Sequence, residues 1–148
     1  MKRRAFLAGV GGAMAVPLLP GAALAQANPV EAQLRTLAQG APVKKGRVHL
    51  ELPQLADNGN SVAMKVSVES PMTAADHVKA IHLYSDRNPV THMATFHLGP
   101  RAGKAEVSSR VRLAGSQRVT AVAQMSDGSF WSDTAEVVVT LSACLDES

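Results

Sequence analysis

The sequence predicts an all-β protein, an immunoglobulin-like antiparallel β-sandwich of about seven strands preceded by a short helix. From Lys44 onward, apolar side chains alternate with polar ones at a period of two residues, as a sheet with one buried face requires. Clusters of Gly, Asn, Asp and Pro separate the alternating segments at hairpin spacing. No long segment has the period of a helix, so a sandwich is the fold that agrees with both observations.

The first 25 residues predict a cleaved export signal of the twin-arginine type. Basic residues at 2–4 precede an apolar run over 6–19, and Ala-Leu-Ala at 23–25 is a small-residue cleavage site. Cleavage is expected after Ala25 or, alternatively, after Ala27. The apolar run is shorter than the about 20 residues that cross a membrane, and the paired arginines followed by Ala-Phe-Leu resemble signals that export folded proteins. We therefore expect a periplasmic protein.

The charge balance changes once the signal is removed. The whole chain has 15 basic and 12 acidic residues, and three of the basic ones lie in the signal, which leaves 12 of each. Nucleic-acid binding requires a clustered excess of Lys and Arg, so a near-neutral mature chain predicts no nucleic-acid partner. No second apolar stretch reaches the length of a membrane span, so we expect no membrane insertion of the mature chain.

Residues 28–40 predict a short helix. Asn28 is a favourable N-cap, Pro29 suits the first helical position, and Gly40 is a favourable end. A helix of this length is not stable alone, so we expect it to pack on the domain or on a partner. Its apolar face consists of Val30, Leu34, Leu37 and Ala38.

The sandwich itself is predicted over residues 43–141. The clearest strand is 61–69, in which Val62, Met64, Val66 and Val68 alternate with polar or small residues. In the last strand the inward-facing positions are expected to be Ala135, Val137, Val139 and Leu141. The pairs Asn58-Gly59 and Asp127-Gly128 favour tight hairpins between strands. The other predicted strands are 47–53, 78–85, 92–98, 104–113, 117–125 and 134–141.

Cys144 is the only cysteine, and it follows the last predicted strand in an arm over 142–148. An unpaired cysteine in an exported protein suggests either an intermolecular disulfide or a reactive thiol. At ~3.3 Å per extended residue, the segment 142–144 extends about 10 Å beyond the sheet, which is enough to enter a partner's cleft. The alternative is a half-buried thiol that fills space near the last strand.

Five further segments carry a family likeness, namely 57–62, 69–73, 76–82, 96–103 and 126–132. Together with the signal and the cysteine, they resemble the SoxY family, the sulfur-carrier subunit of the periplasmic Sox sulfur-oxidation system. The resemblance implies an immunoglobulin-like sandwich, a heterodimer with a SoxZ-like subunit, and a cysteine, here Cys144, that carries covalently attached sulfur intermediates. It also implies that a heme enzyme conjugates thiosulfate to this cysteine and that other periplasmic redox or sulfur-processing enzymes then process the adduct. The carrier itself is then not an enzyme and has no cofactor.

The arm differs from the Gly-Gly-Cys-Gly-Gly ending of SoxY proteins and is similar to a SoxY-related subgroup with an Ala-Ala-Cys-Ile-Glu motif. Without glycine the arm is stiffer and bulkier, and its acidic residues disfavour the thiolate. We therefore expect docking partners other than those of the thiosulfate carriers, and thiosulfate as cargo does not follow from the resemblance. The residues beside Cys144 are Ser142, Ala143, Leu145, Asp146 and Glu147.

Histidines and aromatic residues supply the remaining candidate sites. The histidines are dispersed and lack the paired spacing of a zinc site, although three of them lie on adjacent predicted strands where they could meet, so we predict no metal site. Phe130 and Trp131 are interpreted either as a cover for the end of the core or, for Trp131, as part of a partner interface. The histidines are His49, His77, His82, His92 and His97, of which the last three are on those strands.

Two further classes of protein remain as alternatives to a carrier. In the first, the protein is a non-covalent periplasmic interaction module whose arm docks into a partner without cargo. Cys144 is then incidental or forms an intermolecular disulfide. In the second, the protein binds a small ligand or a redox cofactor. Replacement of Cys144 separates the carrier from the interaction module.

Overall fold

The structure, a computed structural model, describes Gly12 and residues 28–141. Apart from Gly12, the signal predicted over 1–25 lies outside the described residues, as does the arm over 142–148. Within 28–141 the chain forms two packed β-sheets with one helix, which confirms the predicted sandwich. No helix in this part of the chain is long and apolar enough to cross a membrane.

The helix and strands follow one another without long unstructured connections. They are α1 (Pro29–Ala38), β1 (Val43–Lys45), β2 (Val48–Glu51), β3 (Leu55–Ala56), β4 (Val62–Val68), β5 (Val78–Ser85), β6 (His92–His97), a 3-10 turn (Pro100–Ala102), β7 (Ala105–Val111), β8 (Gln117–Met125) and β9 (Phe130–Val139).

The larger sheet has the strand order β1-β9-β8-β5-β6, and β3 also pairs with β9. The smaller sheet has the order β2-β4-β7. All seven predicted strands are present, and they pair with one another in the antiparallel direction. The sequence did not predict β1 and β3, which pair parallel with the two ends of β9. Strands of three and two residues are too short to display an alternating pattern.

The predicted helix is confirmed from cap to end. The Asn28 side-chain oxygen accepts a hydrogen bond from the Val30 N–H at 3.0 Å, and the helix ends at Ala38 before a left-handed Gln39. Val30 and Ala38 are buried and pack on the larger sheet, so the domain itself covers the apolar face of the helix. The sheet residues beneath it are Tyr84, Val122 and Phe130.

The main core lies between the two sheets. Strand β4 contributes Val62, Met64, Val66 and Val68, as its alternation predicted. Full burial of an aliphatic side chain of this size stabilises the fold by about 1.5–3 kcal/mol. The larger sheet contributes its facing side chains from two central strands, namely Ile81, Leu83, Val119, Ala121, Ala123 and Met125.

The limits of the last strand differ from the prediction of 134–141. Strand β9 begins at Phe130 because Phe130 packs beneath α1 while Trp131 packs against the main core, so the two aromatics alternate between the faces of the sheet. It ends at Val139, and Leu141, which was expected to face inward, is 55% exposed. The aromatic pair thus covers the core, as the first of the two interpretations stated.

Candidate functional site

The candidate site is the place where the chain leaves β9 towards Cys144. All five predicted site residues, Ser142, Ala143, Cys144, Leu145 and Asp146, lie outside the described residues. The nearest described residue is Leu141, three positions before the cysteine. We call residues 138–141 the arm base, because they determine where the arm emerges.

The connection that contains β3 holds the arm base through backbone hydrogen bonds. The Val138 N–H donates to the Gln54 carbonyl at 2.9 Å, and the Thr140 N–H donates to the Ala56 carbonyl at 3.1 Å. The Thr140 hydroxyl donates to the Asp57 carbonyl at 2.8 Å. The backbone N–H groups of Val138 and Thr140 are thus paired within the domain, and these hydrogen bonds fix the position of the arm base.

Gly59 fixes the final described residue. Its N–H donates to the Leu141 carbonyl at 2.7 Å, and its carbonyl accepts from the Leu113 N–H at 2.8 Å. A Cβ atom at position 59 would overlap the carbonyl oxygen of Leu113 and would lie 3.0 Å from Val139 Cγ1 and 3.1 Å from the Leu141 carbonyl oxygen. Only glycine therefore allows the three backbone segments to approach this closely.

The sequence-based interpretation of Asn58-Gly59 as a tight hairpin is wrong. This segment connects β3, on the larger sheet, to β4, on the smaller sheet, and the φ angle of Gly59 is not positive. The Asp127-Gly128 hairpin between β8 and β9 is confirmed, with φ of 85° at Gly128. Asn58-Gly59 and Asp127-Gly128 are similar dipeptides, so the sequence around each pair does not show which one forms a hairpin. The packing of distant segments decides it.

Exposed apolar side chains lie at the arm base and beside it. Leu55 and Val138 are paired in register and are 58% and 55% exposed, and Leu141 is exposed to the same degree as Val138. We call the paired residues Leu55 and Val138 the apolar patch. Sequence reasoning missed Leu55 and Val138 as site residues. The available signal was Val138 itself, which is apolar at an outward position of β9 between Glu136 and Thr140.

Two of the three histidines on adjacent strands do meet, but as a hydrogen-bonded cluster. The ring centroids of His82 and His92 are 6.3 Å apart, and the Thr95 hydroxyl contacts both rings, at 3.0 Å from His82 Nδ1 and 2.8 Å from His92 Nε2. Burial lowers the pKa of His82, with smaller contributions in the same direction from His92 and His97. The described part of the chain holds no group of three metal-ligating side chains suited to a metal ion.

Trp131 is held by contacts within the domain. The Lys44 ammonium and the Arg47 guanidinium lie 5.4 Å and 5.5 Å from the centroid of its indole ring. The indole N–H donates to the Ser129 hydroxyl at 3.1 Å. The polar and apolar parts of this side chain thus both have partners within the protein.

Comparison with protein families gives one match. The family model described as "Sulfur oxidation protein SoxY" matches residues 34–144, so the match extends through the arm base and reaches Cys144. A search of curated proteins finds no match.

Solved structures with the same fold include one sulfur carrier. The sulfur carrier protein SoxY from Chlorobium limicola f thiosulfatophilum is 25% identical, with a TM-score of 0.63, and the alignment covers 76% of this chain and 96% of that one. A superoxide reductase (neelaredoxin) from Ignicoccus hospitalis is 20% identical, with a TM-score of 0.56 and coverage of 64% and 80%. The superoxide reductase from Nanoarchaeum equitans is 14% identical, with a TM-score of 0.54 and coverage of 65% and 100%. The two reductases show a shared sandwich fold only.

Proposed function

Because the chain belongs to the SoxY family of sulfur oxidation proteins, we propose that it is a periplasmic carrier that presents Cys144 for covalent attachment of a sulfur intermediate. The observation that carries this proposal is the family match over 34–144, which includes the cysteine. The protein then performs no turnover. Its contribution is to hold the cargo where other enzymes reach it.

The chemistry of attachment requires a redox partner. When a cysteine thiol joins a sulfur anion through an S–S bond, one proton and two electrons leave the pair of sulfur atoms. The electrons must pass to an acceptor on the loading enzyme. The thiolate is the reactive form of the cysteine, so the loading enzyme must also favour deprotonation of Cys144.

The geometry of the arm base supports a carrier. The backbone hydrogen bonds to Gln54, Ala56 and Gly59 fix the position of residues 138–141. Cys144 is three residues beyond Leu141, so its Cα atom lies at most about 11 Å from that of Leu141. A short arm on a defined base limits the volume that the cargo explores, which favours repeated delivery to a partner's active site.

The composition of the arm supports a cargo or partner set different from that of the diglycine carriers. Ser142, Ala143 and Leu145 add bulk where those carriers have glycine, and Asp146 and Glu147 add negative charge. Negative charge disfavours both the thiolate and a bound sulfur anion. We propose that basic side chains of the loading enzyme supply the compensating charge.

Replacement of the cysteine tests the proposal. Intact-mass analysis of the protein purified from its native host is expected to show adducts on Cys144 that a reductant removes. The Cys144→Ser variant is expected to lose all of them and to abolish the sulfur phenotype of the host. The matched control, Ser108→Ala, changes an exposed serine of β7 outside the arm, retains the thiol and should keep the adducts.

Two results would contradict the carrier. The first is a wild-type protein without any adduct on Cys144. The second is a Cys144→Ser strain with a normal phenotype alongside a defective strain that lacks residues 142–148, which would indicate a non-covalent docking module.

We also propose that the partner subunit is SoxZ-like and that it binds along β6. This strand forms one edge of the larger sheet, and none of its residues is buried, although Met93, Ala94 and Phe96 pack against the core. The edge leaves backbone groups free to pair with a partner. The adjacent cleft, of about 500 Å³, carries Arg110 and Arg112. A second copy would bring like charges together, so an acidic partner edge is favoured.

Hydrogen–deuterium exchange on the purified heterodimer tests this partner surface. Amides of β6 are expected to exchange at least about tenfold more slowly with the SoxZ-like subunit bound, since pairing protects them. Amides of β2, at an edge of the other sheet, provide the internal control and should be unchanged. Protection of β2 without β6, or the absence of a heterodimer, would refute the assignment.

A further inference from the structure

We infer that the apolar patch of Leu55 and Val138 is the surface that the loading enzyme contacts when it takes Cys144. The inference depends on the proposed carrier function. The inference identifies the surface of the carrier that makes the contact. It also specifies the partner surface, an active-site entrance lined by apolar and basic side chains.

The length of the arm requires contact near the arm base. Cys144 is three residues beyond Leu141, so its Cα atom lies at most about 11 Å from that of Leu141. An active site that encloses the thiol must therefore have its entrance within about 11 Å of Leu141. Val138 is three residues on the other side of Leu141, within the same radius. The patch therefore lies on the part of the carrier that is nearest to the entrance of an enzyme that receives the arm.

The position of Leu55 is not explained by the fold alone. In the two-residue strand β3, Ala56 is buried in the main core, whereas Leu55 is 58% exposed and lies beside the exposed Val138. Polar residues occupy the next exposed positions on either side of Val138, namely Glu136 in β9 and Thr140 just after it. Apolar side chains that remain in solvent beside a functional segment are typical of an interaction surface.

Charge specifies the rest of the partner surface. Asp57, directly after β3, is exposed, and Asp146 and Glu147 follow the cysteine. A basic mouth pairs with these acidic groups and steers association. The same basic groups lower the pKa of a nearby thiol and so favour the thiolate, whereas the acidic residues of the arm disfavour it.

Site-directed variants measured in the native host test the inference. Leu55→Gln with Val138→Thr makes the patch polar while keeping similar side-chain sizes and the strand propensity of residue 138. The fraction of Cys144 that carries a reductant-removable adduct is measured by intact mass. We expect roughly a tenfold lower rate of loading after addition of the sulfur substrate, since two contacts are lost from a transient interface.

Two controls separate docking from other effects. Ala102→Gln changes an exposed residue in the turn before β7, at the end of the sandwich opposite to Gly59, and should load as the wild type does. The purified double variant should react with dithiobis(nitrobenzoate) at the wild-type rate, because this small disulfide needs no docking surface.

The outcomes are distinguishable. If the double variant is loaded at the wild-type rate, the inference is wrong but the carrier function still holds. If the wild-type protein itself has no adduct on Cys144, the carrier function is wrong. If the double variant reacts with dithiobis(nitrobenzoate) at a changed rate, the defect lies in the arm and not in docking. If the wild type forms a homodimer that the double variant cannot form, the patch binds a second copy of the chain. Either result overturns the inference.

Discussion

Replacing Gly59 with alanine is expected to lower the free energy of unfolding by about 3 kcal/mol. The added Cβ would overlap the backbone carbonyl of Leu113 and crowd the carbonyl of Leu141. Neither is the movable end of a side chain, so relief requires that the chain segments separate and break the two hydrogen bonds of Gly59. Urea denaturation of the purified protein measures the change.

Gly99→Ala is the matched control for this substitution. Gly99 has an extended backbone with φ of −148°, and no atom lies within 4 Å of the position that its Cβ would occupy. Alanine there should be neutral or slightly stabilising, because it restricts the unfolded chain. Equal stability of the two variants would show that the close approach at Gly59 does not hold the arm base.

Replacing Leu113 with alanine is expected to cost about 3 kcal/mol of folding free energy. Leu113 has no exposed surface and lies in the main core, just beyond the end of β7. Its removal leaves a cavity in the main core, at a residue whose backbone N–H donates to the Gly59 carbonyl. Thermal and urea unfolding of the variant, followed by circular dichroism, measure the loss.

Leu55→Ala provides the comparison for the core leucine. The same atoms are removed, but Leu55 is 58% exposed, so the expected cost is within about 0.5 kcal/mol. If the two leucine variants were equally stable, Leu113 would not be the packing residue that the structure indicates. Because Leu113 and Gly59 are in contact, the double variant should not show the sum of the two single effects.

These two residues connect the stability of the domain to the proposed carrier function. The sandwich is shared with superoxide reductases, so the fold alone does not specify an activity. The part of the fold that bears on the proposed carrier function is the arm base, which Gly59 holds through its hydrogen bonds to Leu113 and Leu141. A variant that loosens this contact should alter both the unfolding curve and the delivery of Cys144.

Local patterns in the sequence determined most of the fold. The cap at Asn28 and the apolar face of α1 depend on residues within one or two helical turns. The alternation in β4 depends on neighbouring residues and a buried face. Such signals are contained in short segments, so they can be interpreted without knowledge of the partners across the sheet. Cys144 was likewise recognisable from its position and the absence of a second cysteine.

The tertiary structure alone decided how the arm base is held and what surrounds it. The Thr140 hydroxyl pairs with the carbonyl of Asp57, 83 residues earlier in the chain. Strand β3 exists only because β9 pairs with it, and Gly59 is required only because Leu113 and Leu141 meet there. Close approach, parallel pairing and the exposure of Leu55 result from packing between distant segments. Short-range patterns cannot encode such contacts, because each depends on where the rest of the chain comes to lie.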